Sequence, residues 1–315
     1  MILSICICGC SNLRPHNLPG LDSPPDNGAL HARFFGTSTV YLSDGESSIM
    51  IDGLFTRRSF TQHRKYGFLP DSEAIANGLE TAGIDNIDGL FVGHSHFDHA
   101  LDAEMTAQQT NAKLFGSPST LRLFPNFSHK SEVIVGKPYL FGKFTVTAFE
   151  TQHVPKDSFI QNFEYFLTAI YAKGHEFMCA GKVYSFLIQH GDTDILIIPS
   201  SSLEQGDLPA NTKADIVFLS IGLLSKQPNA TKYIANYWEN AVKETKAKVV
   251  FPIHYDDFRK PISADGELTL PLPLADKILL TMTELNKLAN EHNTDGKNVK
   301  VIFPPVIKPF LLEFD

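Results

Sequence analysis

Six residues constrain this chain more than any others: His94-Ser95-His96-Phe97-Asp98-His99. Three imidazoles and a carboxylate fall together directly after an apolar run, 87–92 (IDGLFV), that reads as a buried strand, and ahead of a polar segment, 100–112, that reads as a helix. Imidazole nitrogen and carboxylate oxygen suit zinc, iron or manganese. A tight turn after a strand can aim His94 and His96 at one ion and Asp98 and His99 at a neighbouring one. Chance clustering of histidines is the competing reading, and the strand-to-helix context argues against it.

Other buried strands also end in a polar residue. IMI runs into Asp52, ILIIP into Ser200 and VVFPI into His254. A rigid scaffold can deliver ligands to one point from such strand ends. The remaining pattern is of mixed strand and helix. Residues 32–42 and 47–52 read as a hairpin turning at Asp44-Gly45, and 72–82 as a helix capped by Asp71 or Ser72 and ended by Gly83. Two strands flank Gly142 within 133–149, and 183–189 with 194–198 form a second hairpin. Strands are expected at 215–221, 248–253 and 298–303, and helices at 230–245 and 274–289. Early hairpins followed by strand and helix repeats imply packed sheets with helices outside. Residues 155–180 are rich in aromatics, with Phe159, Phe163, Phe166 and Ile170 at helical spacing. They read either as core or as an apolar wall beside a site.

With 315 residues, of which 43% are hydrophobic, the chain can bury a sizeable core. A net charge of -8 argues against a nucleic-acid partner. Of four cysteines, Cys6, Cys8 and Cys10 crowd the start and Cys179 stands apart, so neither a cysteine metal site nor a disulfide framework is expected. The first ten residues, MILSICICGC, are too short to span a bilayer, which takes about 20 apolar residues. Ile7-Cys8-Gly9-Cys10 resembles a lipobox, with Cys10 as the lipidated residue, although the basic start of a signal peptide is missing. Residues 1–10 are therefore read as a truncated lipoprotein signal and 11–30, with four prolines and two glycines, as a tether. Residues 31–315 form the folded domain. The reading places the protein at a bacterial cell envelope, and a cytoplasmic protein with an apolar start is the alternative.

H-x-H-x-D-H after a buried strand resembles the signature of the metallo-β-lactamase superfamily. Phe35-Gly36-Thr37-Ser38-Thr39, Ile51-Asp52 and Pro252-Ile253-His254-Tyr255-Asp256-Asp257-Phe258 fit the same order. The subgroup resembled includes ascorbate-phosphate lactonase-like proteins and the phospholipase D that cleaves N-acyl phosphatidylethanolamines. The resemblance implies a four-layer αβ/βα sandwich. It also implies that His153 completes a first metal site with His94 and His96, that His254 joins Asp98 and His99 at a second, and that Asp52 supports the motif loop by hydrogen bonding. Zinc is the favoured metal, as one or two ions, with manganese or iron as alternatives. His16, His31, His63, His129, His175, His190 and His292 lack such context and read as surface or structural residues.

One position departs from the pattern. The family's bridging aspartate belongs at the end of the strand 194–198, where this chain has Pro199-Ser200-Ser201-Ser202. Gly191-Asp192-Thr193 lies at the strand's other end, about 16 Å away at about 3.3 Å per residue. Ser200 is thus read as the replacement, which leaves the site more positive and the second metal weaker, with three outcomes open: one metal only, two metals bridged by water or hydroxide alone, or an anionic substrate supplying the missing oxygen. The expected activity is hydrolysis of an ester or phosphodiester bearing an apolar group, with Asp98 ligating or orienting the nucleophilic water and moving its proton. The rival is a non-catalytic metal-binding or scaffold protein of the same fold.

Overall fold

β-Branched and aromatic runs pair into two seven-stranded sheets. The computed structural model describes residues 18–25, 28–155, 177, 179–263, 265–294, 296 and 298–312. Cys10 with the whole of 1–17, and most of the aromatic stretch 155–180, including Phe159, Phe163, Phe166 and Ile170, lie outside the described residues.

The first sheet contains β1 (His31–Phe34), β2 (Val40–Ser43), β3 (Ser48–Ile51), β4 (Gly89–Phe91), β5 (Lys113–Gly116) and β6 (Lys130–Glu132), with β14 (Phe310–Leu311) at its edge beside β1. The second contains β7 (Pro138–Phe141), β8 (Phe144–Thr151), β9 (Val183–His190), β10 (Thr193–Ile198), β11 (Ile216–Ser220), β12 (Val249–Ile253) and β13 (Lys300–Val301). Both follow one plan. Antiparallel pairs β1–β2–β3 and β7–β8–β9–β10 come first, and parallel strands β3–β4–β5–β6 and β10–β11–β12–β13 complete each sheet. The parallel halves carry the polar strand ends. In open α/β sheets, ligands gather beyond the carboxyl ends of parallel strands.

Between the sheets lies a continuous apolar layer that includes Phe34, Val40, Ile51, Phe91, Val146, Phe186, Ile197, Phe218 and Phe251. Phe91 and Phe115 stack with ring centroids 4.6 Å apart, and Phe186 meets Phe91 edge-on. Burying each such side chain contributes about 1.5–3 kcal/mol. Helices cover the outer faces. α1 (Phe60–Tyr66), α2 (Ser72–Ala82), α3 (Phe97–Ala100), α4 (Ala103–Gln109) and α5 (Pro118–Arg122) belong to the first half of the chain. Ile75, Leu79 and Ala82 of α2 pack with Ala103 and Ala107 of α4 against Met50, Leu90 and Leu114 of the first sheet. Over the second sheet, α6 (Ala230–Trp238) runs on into a π-helical turn, Glu239–Lys243, and packs beside α7 (Ile278–Thr294) through Ile234, Trp238, Met282 and Leu285. Helix, sheet, sheet and helix make the expected four-layer sandwich, the metallo-β-lactamase fold.

Several elements differ from expectation. The run 32–42 breaks into β1 and β2 because Gly36 and Thr37 adopt positive φ, making the tight turn 35–39. The helix expected over 100–112 is two short pieces, α3 and α4, with Asp102 at their junction. The last helix starts at Ile278, four residues after Leu274, which is 89% exposed in a turn. Asp276 holds that turn by accepting from the Ser225 hydroxyl at 2.6 Å and from Leu223 N at 2.5 Å. Of 298–303, only Lys300–Val301 pairs as strand. Leu18 and Leu21, placed in the tether, donate backbone hydrogen bonds to Phe303 and Pro309, so that end lies along the C-terminal segment. No helix among the described residues is long and apolar enough to cross a membrane.

Candidate metal centre

β4 ends at Phe91, and its chain continues through Val92 and Gly93 into His94. A Cβ at Gly93 would sit 2.8 Å from Pro199, beyond the end of β10. Glycine therefore lets the two sheets approach where the motif loop begins. The loop turns through His94, Ser95 and His96 into α3, whose first turn carries Asp98 and His99. A helix start with no side-chain cap places both Asp98 and His99 on one short, buried turn.

Two clusters result. His94, His96 and His153 form one, and Asp98, His99 and His254 the other, with potential ligand atoms in each within 4.8 Å of one another. His153 arrives from the second sheet just after β8, and His254 just after β12. Nε2 of His94 is 2.9 Å from Nδ1 of His96. The ring of His153 lies 5.0 Å from that of His94 and 4.8 Å from that of His96, nearly perpendicular to both. Nδ1 of His153 is engaged with the carbonyl of Val154 at 2.7 Å, which leaves Nε2 as its ligating nitrogen. Nε2 of His254 is 3.2 Å from Oδ2 of Asp98, and Nε2 of His99 is 3.6 Å from the same oxygen. The rings of His94 and His99 are 3.9 Å apart, so the two clusters adjoin.

The donor chemistry fits metal ions. Five imidazoles and one carboxylate are a borderline-soft set suited to zinc, iron or manganese. Two ligands with bonds of about 2.0–2.1 Å to one tetrahedral zinc lie about 3.4 Å apart, and the ligand atoms of each cluster lie within 4.8 Å of one another. Packing five imidazoles together is otherwise unfavourable. Burial, with His99, His96, His153 and His254 adding to it, holds the His94 imidazole well below the usual range. Burial alone would raise the Asp98 carboxyl, but the imidazoles of His99 and His254 outweigh it and keep Asp98 ionised. Burial opposes protonation of His99, yet Asp52 and Asp98 raise it.

Asp52 supports the loop. Its Oδ1 accepts from Gly93 N at 2.7 Å, and its Oδ2 is 2.8 Å from Nδ1 of His99 and accepts from the Ser38 hydroxyl. Both Asp52 (φ 64°) and His254 (φ 56°) hold a left-handed backbone that non-glycine residues seldom adopt. Strain of this kind collects at functional sites. Ser200, buried at the end of β10, accepts from Val154 N at 3.1 Å and so braces the residue after His153. Gly191 and Asp192 form the hairpin turn at the opposite end, where His190 pairs with Asp44 at 3.0 Å. Asp207 caps a local turn by accepting from Glu204 N. No other carboxylate among the described residues joins the two histidine clusters.

Sequence reasoning gave no role to Ser38, Arg57, Asp102 or Asp256. Ser38 contacts both Asp52 and His99. Arg57 and Asp256 form a buried ion pair at 2.8 Å. Asp102 accepts from Phe55 N at 2.7 Å and Thr56 N at 2.5 Å. Ser38 and Asp256 lie in the segments 35–39 and 252–258 that carry the resemblance, and Asp102 follows the motif in its own helical segment, whereas Arg57 has no local signal. Among the other histidines, His63 is buried and stacked on Phe68 at 4.5 Å, a structural role.

Comparison with known proteins bears on the fold. The family model described as "Metallo-beta-lactamase superfamily" matches residues 32–159. A search of curated proteins found no match. Igni18, a metallo hydrolase from Ignicoccus hospitalis, superposes with TM-score 0.53 at 16% identity, covering 91% of this chain and 100% of its own. CmlA, a diiron β-hydroxylase from Streptomyces venezuelae, gives 0.53 at 11% identity over 92% of this chain, which spans only 55% of CmlA. A possible metal-dependent hydrolase from Veillonella parvula gives 0.50 at 12% identity, with coverage of 90% and 99%.

Proposed function

We propose that this chain, which carries the metallo-β-lactamase fold and matches that superfamily over residues 32–159, is a metal-dependent hydrolase of an ester or phosphodiester. The observation that carries the reading is the convergence of His94, His96 and His153 from two sheets, with Asp98, His99 and His254 directly beside them. Three histidines with an open fourth position are the ligand set of a catalytic rather than a structural zinc site.

A divalent ion held there would supply Lewis acidity toward a carbonyl or phosphoryl oxygen and would acidify water. Asp98, kept anionic by His99 and His254, would accept a hydrogen bond from the attacking water and so orient it. Asp52 holds His99 in the tautomer that presents Nε2, through the contact at Nδ1. Ser200 is neutral where the resembled family has a carboxylate, so the site keeps more positive charge and favours an anionic substrate. Phe258 lies 6.1 Å from the His254 ring and 5.4 Å from Phe97, and both phenylalanines are half-buried. These rings are an apolar flank for the substrate and help exclude water from the reacting centre.

The test is hydrolysis of a panel of aryl esters and aryl phosphodiesters by chelator-stripped protein, before and after zinc, manganese or iron(II) is restored. Turnover that appears with metal and is lost in His96→Ala is the expected result. Full metal loading without turnover across the panel would favour the non-catalytic scaffold.

A further inference from the structure

We propose that Arg57 and Asp256 are positioning residues whose ion pair, seated on the turn 35–39, sets the separation of His99 and His254 and thereby governs occupancy of the Asp98–His99–His254 cluster. The inference rests on the reading of that cluster as a metal site.

His99 and His254 come from different sheets, and each reaches the cluster through a short, strained or irregular segment. Nothing in either sheet's ladder fixes the distance between them. The turn 35–39 does so by touching both. On one side, Ser38 Oγ lies 2.9 Å from Nδ1 of His99. On the other, the Thr37 carbonyl accepts from the His254 backbone N–H, and Thr37 N donates to Oδ1 of Asp256 at 2.7 Å. Those last two residues are 219 positions apart in sequence.

Arg57 locks this turn from behind. Its Nη2 pairs with Oδ2 of Asp256 at 2.8 Å and donates to the Phe35 carbonyl at 3.1 Å, while Nη1 donates to the Lys260 carbonyl at 3.2 Å. The two side chains are 5% and 0% exposed. The guanidinium fills the space a side chain at position 36 would need, since a Cβ on Gly36 would fall 1.9 Å from Nη2. Arg57 itself is aimed by Asp102, which fixes the amides of Phe55 and Thr56, and by Leu54 N donating to Thr39 Oγ1 at 2.8 Å. A closed circuit therefore runs from His99 through α3 to Asp102, Arg57, Asp256 and His254, and back through the turn.

Cohesion alone does not account for a buried ion pair here. Two apolar side chains would join the loops at least as well, because desolvating both charges offsets most of their attraction. What an arginine adds is direction: its planar donors fix the angles of two backbone carbonyls, those of Phe35 and Lys260, while its charge faces Oδ2 of Asp256. Held angles matter where a ligand must be placed to a fraction of an ångström.

The experiment titrates stripped protein with cobalt(II) and zinc, resolving the two sites by absorbance and calorimetry, in wild type, Arg57→Lys, Arg57→Ala and Asp256→Asn. Melting temperature and circular dichroism report folding. The first site serves as an internal reference. Its affinity is expected to hold, while second-site affinity falls about tenfold or more in Arg57→Ala and Asp256→Asn and partly recovers in Arg57→Lys. Should a single variant fail to fold, Arg57→Met/Asp256→Leu, which leaves no unpaired charge, replaces it with the same expectation. Folded variants with both sites at wild-type affinity would overturn the proposal, as would equal weakening of both sites. A wild type that takes up only one ion at saturating metal would overturn it too, while leaving the first site and the hydrolase reading in place. Failure of wild type to bind any ion would remove that reading and this inference together.

Discussion

Oδ2 of Asp52 lies 2.8 Å from Nδ1 of His99, on a carboxylate whose backbone holds a φ of 64°. The contact fixes which imidazole nitrogen faces Asp98. A neutral amide in its place keeps the shape but removes the charge that favours the Nδ1–H tautomer. Asp52→Asn is therefore expected to lower second-site metal affinity by about 10–100-fold, the range typical of a lost supporting partner. Calorimetric titration of the stripped variant checks this. An unchanged second site would show that Asp52 only packs the loop.

Ser200 occupies the strand end where a carboxylate is expected by resemblance, and its hydroxyl accepts from Val154 N. A carboxylate can accept the same bond and add one negative charge. Ser200→Asp is expected to raise metal uptake toward two ions per chain at limiting metal, read by elemental analysis. If wild type already holds two ions tightly, the weak-site account of Ser200 fails.

Asp102 carries a stability prediction independent of metal. Burial raises its carboxyl from 3.8 to about 6, against the opposing hydrogen bonds from Thr56 and Phe55. An acid with a raised folded-state pKa is ionised more readily in the unfolded chain. Stability is therefore highest below about pH 4, falls as pH rises to about 6, and is flat above that. Oδ1 of Asp102 is buried without a hydrogen-bond partner, which adds to the cost of the charge. Asp102→Asn should remove the slope and gain about 1–2 kcal/mol at pH 7. Denaturant unfolding of metal-free protein from pH 4 to 7 measures it, and parallel slopes in the two proteins would contradict the assignment.

The site was legible where function is written locally. The hexapeptide marked four residues, and the strand ends Asp52, Ser200 and His254 followed from apolar runs that stop at a polar residue. The α1 helix was missed although Ser59 and Gln62 form a capping box, because only seven residues follow it. The start of α7 was misplaced because Leu274 fits the helical period while Asp276 is held to Ser225 and Leu223, contacts between distant segments. Arg57 lies in no motif, and although Asp256 falls in the segment 252–258, nothing local pairs the two. Their pairing exists only once both sheets have packed, so periodicity and turn chemistry carry no trace of it.

Cys10 is proposed as a lipid attachment site on its lipobox-like context alone. Labelling with a fatty acid is expected to mark the full-length protein and to be abolished by Cys10→Ser. Label retained in that variant, or absent from wild type, would remove the envelope reading.

The central claim is that His94, His96 and His153 together hold a metal ion. It is tested most directly by equilibrium zinc titration of stripped wild type against His153→Ala. Wild type is expected to bind at least one ion tightly, and His153→Ala, folded by circular dichroism, to lose that site's affinity by about 100-fold or more as one of three protein ligands is removed. Equal zinc affinity in the two proteins, or no uptake by wild type, would contradict the account.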